Sequence, residues 1–218
     1  MNPSARRIPW TIGIGLFLAV LSVSLALVLM KAEARAAHRE ELPIYGSIGD
    51  FSLTNQTGAA VSLADLRGHV WVGDIIFTRC AGPCLRMTRQ MKELQDALPK
   101  DSQTRLVSLT TDPEYDTPAI LKTYGQRNGE DTSRWTFLTG TKKGIASLAV
   151  DGLKLSAVEK KPEERASDVD LFVHSTIFVV VDKHAQLRGI YQTGGEDVSW
   201  PTEKQKLLAA VTQLEREP

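Results

Sequence analysis

The chain has 218 residues, with 26 Lys plus Arg balanced by 26 Asp plus Glu, and only two cysteines. A formal net charge of zero gives no bulk attraction to nucleic acid or to an acidic substrate. Two cysteines are too few for a disulfide-built scaffold, and the length suits one domain with additional segments.

Residues Trp10 to Met30 carry no charged side chain and are mostly apolar. The run reaches the roughly 20 residues that a helix needs to span a bilayer. Arg6 and Arg7 precede it and favour a cytoplasmic N-terminus for residues 1–9, although Lys31, Arg35 and Arg39 work weakly against this. A cleaved signal peptide is the competing reading, since Ala32-Glu33-Ala34 and Ala34-Arg35-Ala36 loosely resemble cleavage sites. The apolar core is longer than a usual signal core, which favours an uncleaved anchor over 10–30. On either reading the rest of the chain is exported.

Residues 31–45 read as a linker. Phe51-Ser52-Leu53 and Ala60-Val61-Ser62-Leu63 flank Asn55-Gln56-Thr57-Gly58, a hairpin signal. The apolar run Val70 to Phe77 predicts a mostly buried strand. Cys84, Met87, Met91, Leu94 and Leu98 then recur at steps of three and four, which predicts an amphipathic helix. Arg105 to Thr110 is the next strand. Thr117-Pro118 caps a helix carrying Ile120, Leu121 and Tyr124. Trp135 to Leu138 is a short strand, and Thr141 caps a helix with Ile145, Leu148 and Ala149. Residues 154–170 are charged and polar and read as a mobile loop. Ser175 to Val181 is the clearest strand, joined through Asp182-Lys183-His184-Ala185 to a hairpin partner at Leu187 to Tyr191. Pro201 opens a last helix with Leu207, Leu208, Val211 and Leu214. Strands alternating with helices, then a terminal hairpin and helix, describe an α/β layered domain with a mixed sheet.

Both cysteines lie in Cys80-Ala81-Gly82-Pro83-Cys84, between a strand and a helix. A helix start favours anions, so the position predicts lowered thiol pKa values. If the turn is helical, residues i and i+4 share a face and both sulfurs can point at one ion. The spacing also permits a reversible disulfide, a structural disulfide or two buried thiols. Met87 could lend a thioether, but its helical spacing places it in the core. Among the histidines, His38, His69 and His184 read as solvated surface. His174 sits just before the longest apolar strand. If that strand runs antiparallel to Val70–Phe77, His174 and Cys80 share one sheet edge, where α/β sheets bind ligands. Residue pattern alone leaves His174 equally readable as a ligand or as a capped, packed histidine. Asp112 and Asp116 could orient the site from behind, with loop capping the preferred reading of Asp116.

Taken together, several motifs resemble the Sco/SenC family, membrane-anchored copper chaperones of cytochrome c oxidase assembly with a thioredoxin-like fold. The resemblance covers about residues 46–216. It is carried by Ile48-Gly49-Asp50-Phe51-Ser52-Leu53, by Ile76-Phe77-Thr78-Arg79-Cys80-Ala81-Gly82-Pro83-Cys84, and by Thr111 to Pro118. Leu121-Lys122-Thr123-Tyr124 and Val173-His174-Ser175-Thr176 complete it. It implies a thioredoxin-like α/β fold over 46–218 with an N-terminal β-hairpin extension, preceded by one transmembrane helix. It also implies copper, as Cu(I) or Cu(II), held by Cys80, Cys84 and His174. The implied acceptor is the CuA centre in the copper-bearing subunit of cytochrome c oxidase. Other copper chaperones or a thioredoxin-like reductant are further implied partners, and the soluble domain would face the periplasm from a bacterial inner membrane. The chain departs from the family pattern at Ala81-Gly82-Pro83, at Leu85 and at Val173, where the family usually carries Pro or Asp.

Two thiolates and an imidazole form a soft set suited to Cu(I). Three ligands leave an open side for handing the ion on, whereas zinc would normally want a fourth. The expectation is therefore a non-enzymatic metallochaperone. The alternative is a thiol–disulfide oxidoreductase using Cys80 and Cys84 as its redox pair on exported targets, and a copper-dependent redox sensor is a weaker third reading. His174 separates the first two, because dithiol exchange does not need it.

Overall fold

Helix α1 runs from Trp10 to Ala37, through the apolar stretch and beyond it. The predicted linker therefore begins later than residue 31, because Lys31-Ala32-Glu33-Ala34-Arg35-Ala36-Ala37 consists of strong helix formers that continue the helix. A computed structural model describes residues 10–37, 41–80, 82–164 and 172–218. Among the described residues no helix is long and apolar enough to cross a membrane. The apolar side chains described on α1, such as Phe17, Leu21 and Val28, are exposed. His38 lies outside the described residues. The chain divides after Glu41, and the unit from Leu42 to Pro218 carries the remaining elements.

That unit begins with β1 (Gly46–Ser47), β2 (Ser52–Asn55) and β3 (Ala60–Ser62), followed by the single turn α2 (Leu63–Leu66). Then come β4 (Trp71–Ile76), α3 (Pro83–Ala97), β5 (Arg105–Thr110), α4 (Pro118–Arg127) and β6 (Trp135–Thr139). Helix α5 (Lys142–Ala146) continues into a π-helical turn over Ser147–Gly152. After it lie β7 (Ala157–Glu159), a 3-10 turn at Pro162–Glu164, β8 (Phe172–His174), β9 (Ile177–Val181), β10 (Gln186–Gln192) and α6 (Trp200–Arg216).

Among the described residues eight strands form one mixed sheet in the order β1-β10-β9-β4-β5-β6-β2-β3. Strands β4, β5 and β6 are parallel, and β9 is antiparallel to β4 with Gly73 opposite Val179. The N-terminal hairpin extends this sheet at the β6 edge, with Leu53 opposite Val61. Its turn closes because Asn55 Oδ1 accepts from the backbone N–H groups of Thr57 and Ala59, both at 2.9 Å, and Gly58 takes a left-handed φ of +84°. Helix α4 is capped as predicted, Thr117 Oγ1 accepting from Ile120 N–H, and Thr141 caps α5 by accepting from Gly144 N–H.

Alternation along β4 separates two cores. Val72 and Ile76 pack with Met87, Met91, Leu94, Leu207 and Leu214 of α3 and α6 on one face. Trp71 and Ile75 pack with Leu63, Ile145 and Leu148 on the other. The predicted loop over 154–170 includes regular structure at Ala157–Glu159 and Pro162–Glu164. Residues 157–159 pair with 172–174 as a small antiparallel hairpin, Ala157 opposite His174. Residues 165–171 lie outside the described residues. The strand predicted from Ser175 begins at Ile177.

Candidate metal centre

Strand β4 leads through buried Phe77 into the cysteine turn. Cys80 is partly exposed and Cys84 is fully buried at the start of α3, with no disulfide between them. Helix α3 starts at Pro83 after an N-cap at Gly82. Cys80 therefore precedes the helix, and the expected helical i, i+4 relation does not hold. The turn itself, with Cys80 N–H donating to Phe77 O at 3.2 Å, brings the two side chains into hydrogen-bonding contact. The expectation of a lowered pKa also fails at Cys84. Its thiol is pushed up, first by the hydrogen bond to the Cys80 sulfur, then by burial and by the charges of Cys80 and Asp74. The helix start is outweighed because Cys84 faces the core, with Met87 and Met91 behind it. Those two methionines are fully buried, and Met87 is core, as its spacing indicated.

The turn is fastened to the loop after β5. Asp116, fully buried, accepts from Thr78 N–H at 3.1 Å and from the hydroxyls of Thr78 and Thr110. Asp116 is thus more than a loop cap, because its carboxylate holds the residue two before Cys80. Burial pushes its carboxyl pKa up against the opposing effect of those hydrogen bonds. Arg79 donates through Nε to Asp112 at 3.2 Å, forms an ion pair with the same carboxylate, and lies 4.1 Å over the Tyr115 ring. Asp112 therefore does orient the turn. On the helix side, Thr88 Oγ1 donates to Cys84 O at 2.9 Å and shares a 2.8 Å hydrogen bond with the Tyr124 hydroxyl.

His174 ends β8, two residues before Thr176 and three before β9. Because β9 is antiparallel to β4, the end of β4 and the start of β9 lie on one edge of the sheet, which brings the backbone of His174 and the cysteine turn to the same edge. Two ties hold the residues after His174. Ser175 Oγ accepts from Ser156 N–H at 2.7 Å. Thr176 O accepts from Thr193 N–H at 2.9 Å and Thr193 Oγ1 at 2.7 Å, and Thr193 O accepts from Gln90 Nε2 at 2.8 Å. Gln90 belongs to α3, so the cysteine helix is linked to the histidine segment through buried polar groups. The sequence reading missed Gln90. Its signal was a polar residue within an apolar stripe, three after Met87 and four before Leu94.

Among the described residues no three His, Cys, Asp or Glu side chains converge on one metal-sized point, and the His174 side chain lies outside the described residues. His69 Nδ1 lies 3.2 Å from Gln103 O and His184 Nε2 lies 3.2 Å from Pro218 O, with neither drawn to the cysteines. The arrangement offers a dithiol of one partly exposed and one buried cysteine, at the sheet edge where His174 ends β8.

A family model described as SCO1/SenC matches residues 42–207. The "SCO1 protein homolog" of Bacillus subtilis (strain 168) is 33% identical over 162 residues, covering 72% of this chain and 81% of the relative. The structure of BsSco, described as a member of the Sco family of cytochrome c oxidase assembly proteins with a disulfide switch, superposes with a TM-score of 0.64. It is 25% identical and covers 82% of this chain and all of its own. The structure of Bradyrhizobium japonicum ScoI, solved with copper bound, has the same fold at a TM-score of 0.62. It is 20% identical and covers 77% of this chain and 99% of that one.

Proposed function

The chain belongs to the SCO1/SenC family, and on that premise we propose that it is a copper-binding chaperone in which Cys80, Cys84 and His174 hold the ion for delivery to the CuA centre of cytochrome c oxidase. The observation that carries the proposal is the side-chain contact of Cys80 and Cys84 as a dithiol on the sheet edge that His174 also reaches. Two thiolates together with the imidazole of His174 would suit a soft ion. Copper is cargo here. Partly exposed Cys80 is the sulfur that a partner's ligands can reach, while buried Cys84 and the fastened turn keep the pair together. Sequence alone supports the anchor. Trp10–Met30 spans the inner membrane, residues 1–9 stay in the cytoplasm, and the unit from Leu42 onward faces the periplasm.

One observation favours a second reading, a thiol–disulfide oxidoreductase. A partly exposed cysteine touching a buried one is the arrangement of an attacking and a resolving thiol. Copper titration of the reduced protein separates the two. Cys80→Ser or Cys84→Ser should abolish tight binding, and so should prior oxidation, reversibly. His174→Ala should weaken binding and change the Cu(II) spectrum while sparing reduction of a small disulfide. Full copper affinity in His174→Ala, with efficient disulfide turnover by the wild type, would favour the oxidoreductase.

A further inference from the structure

Beside the cysteine turn lies an open groove of about 420 Å³, between the turn and helix α4, with Thr78, Arg79, Tyr115, Ile120, Tyr124 and Arg127 in its lining. It reaches to within one residue of Cys80. Tyr124 ties it to Cys84 through Thr88. Its walls are aromatic and apolar at Tyr115, Ile120 and Tyr124, and Tyr115 is 43% exposed.

The carboxylates around this mouth are all engaged, Asp112 held by Arg79, Asp116 by Thr78 and Thr110, and Glu114, exposed beside Tyr115, paired with Lys142 at 3.2 Å. Arg127, which lines the groove, is exposed and makes no ion pair among the described residues. The charge left unpaired on the groove is thus positive although the chain as a whole is neutral. A positive rim repels a metal cation, so it does not serve to collect copper. It suits a negatively charged partner that approaches the cysteines. The aromatic walls and concave shape fit a side chain of that partner better than the flat face of a lipid bilayer.

We propose that this groove docks an acidic segment with an apolar or aromatic side chain, presented by the protein with which copper is exchanged. The inference rests on the chaperone reading for its purpose, while its recognition chemistry stands on the groove. In the bound state a partner carboxylate pairs with Arg127 and with Arg79 donors that Asp112 leaves open, and the apolar side chain lies between Tyr115 and Ile120.

The test uses the full chain in neutral detergent. A short peptide with two aspartates flanking a phenylalanine is titrated while the resonances of Tyr115 and Ile120 are followed. The control is its lysine-for-aspartate counterpart. The acidic peptide should shift both residues. Its affinity should fall roughly tenfold between about 50 and about 300 mM salt, and by a similar factor in Arg127→Glu. Arg127 is exposed at a helix end, so this variant keeps the fold. Absence of binding, or equal binding by Arg127→Glu or by the basic peptide, overturns the proposal. So does selective binding of phosphatidylglycerol vesicles over phosphatidylcholine vesicles that is lost in Arg127→Glu while the peptide does not bind, which assigns the rim to the membrane. Copper uptake by the wild type is measured separately. Its failure overturns the chaperone reading, whereas the peptide titration alone decides the groove.

Discussion

Replacing Gln90 by Leu removes the link between the cysteine helix and the histidine segment without opening a large cavity. Gln90 Nε2 donates to Thr193 O at 2.8 Å, and this buried carbonyl would lose that donor. Leaving such a group unsatisfied costs about 1–3 kcal/mol. Gln90 Oε1 is itself buried without a hydrogen-bond partner among the described residues, and removing it recovers part of that cost. A net loss of about 1 kcal/mol follows, which lowers the melting temperature by roughly 2–4 °C in a chain of this size. Thr193 holds Thr176 O, two residues after His174, so the loss falls on the histidine side. Carried fully into binding, about 1 kcal/mol weakens copper affinity roughly fivefold. The assay pairs a copper titration, read by affinity and Cu(II) spectrum, with the rate at which the dithiol reduces a small disulfide. Affinity should fall and the spectrum change while the thiol rate stays constant. A parallel fall of both would show that α3 itself was disturbed. A lowered melting temperature with unchanged copper binding would show that the link serves only stability.

Asp116→Asn should alter the pH dependence of stability. The folded carboxyl sits above its ordinary value of 3.8, so the folded state binds that proton more tightly than the unfolded chain. Its stabilising contribution is present below about pH 3.8 and is lost as pH rises through the folded pKa. Urea melts of the variant should lack that component, and an unaltered profile rejects the assignment. Met87→Leu should keep copper stoichiometry and cost less than about 1.5 kcal/mol, since Met87 is fully buried core; loss of copper would make it a ligand. Arg79→Ala strips the nearly buried Asp112 carboxylate of its ion pair, and a double-mutant cycle with Asp112→Ala should give about 0.5–2 kcal/mol of coupling, discounted for the partial exposure of Arg79; zero coupling rejects the contact. The full chain should resist carbonate extraction from membranes, and release of a form starting near Ala36 would identify a cleaved signal instead.

The sheet was readable because its strands are written as apolar runs. Val70–Phe77 became β4, and the step of three and four from Cys84 to Leu94 became α3. Local turn chemistry located the hairpin at Asn55–Gly58 and the caps at Thr117 and Thr141. What escaped was nonlocal. Asp116 meets Thr78 across 38 residues and Gln90 meets Thr193 across 103, with no periodic signal for either. The β7–β8 hairpin escaped because each strand has only three residues, too few for alternation to show. The raised Cys84 pKa escaped because the sequence shows the helix start but not the burial that opposes it.

The cysteine half of the candidate site is built into the main sheet, with Asp112 and Asp116 holding the turn from one side and α3 packed on the core. The histidine half sits on a separate two-stranded hairpin, held by the Ser156–Ser175 bonds and by Thr193. A change in the first half moves both sulfurs, so copper binding and thiol exchange should suffer together. A change in the second half reaches only a function that uses His174. A protein that works solely by dithiol exchange would be indifferent to Thr193 and Ser175. Loss of function on altering those two residues, with the thiol chemistry intact, would therefore argue for metal transfer without requiring substitution of a ligand.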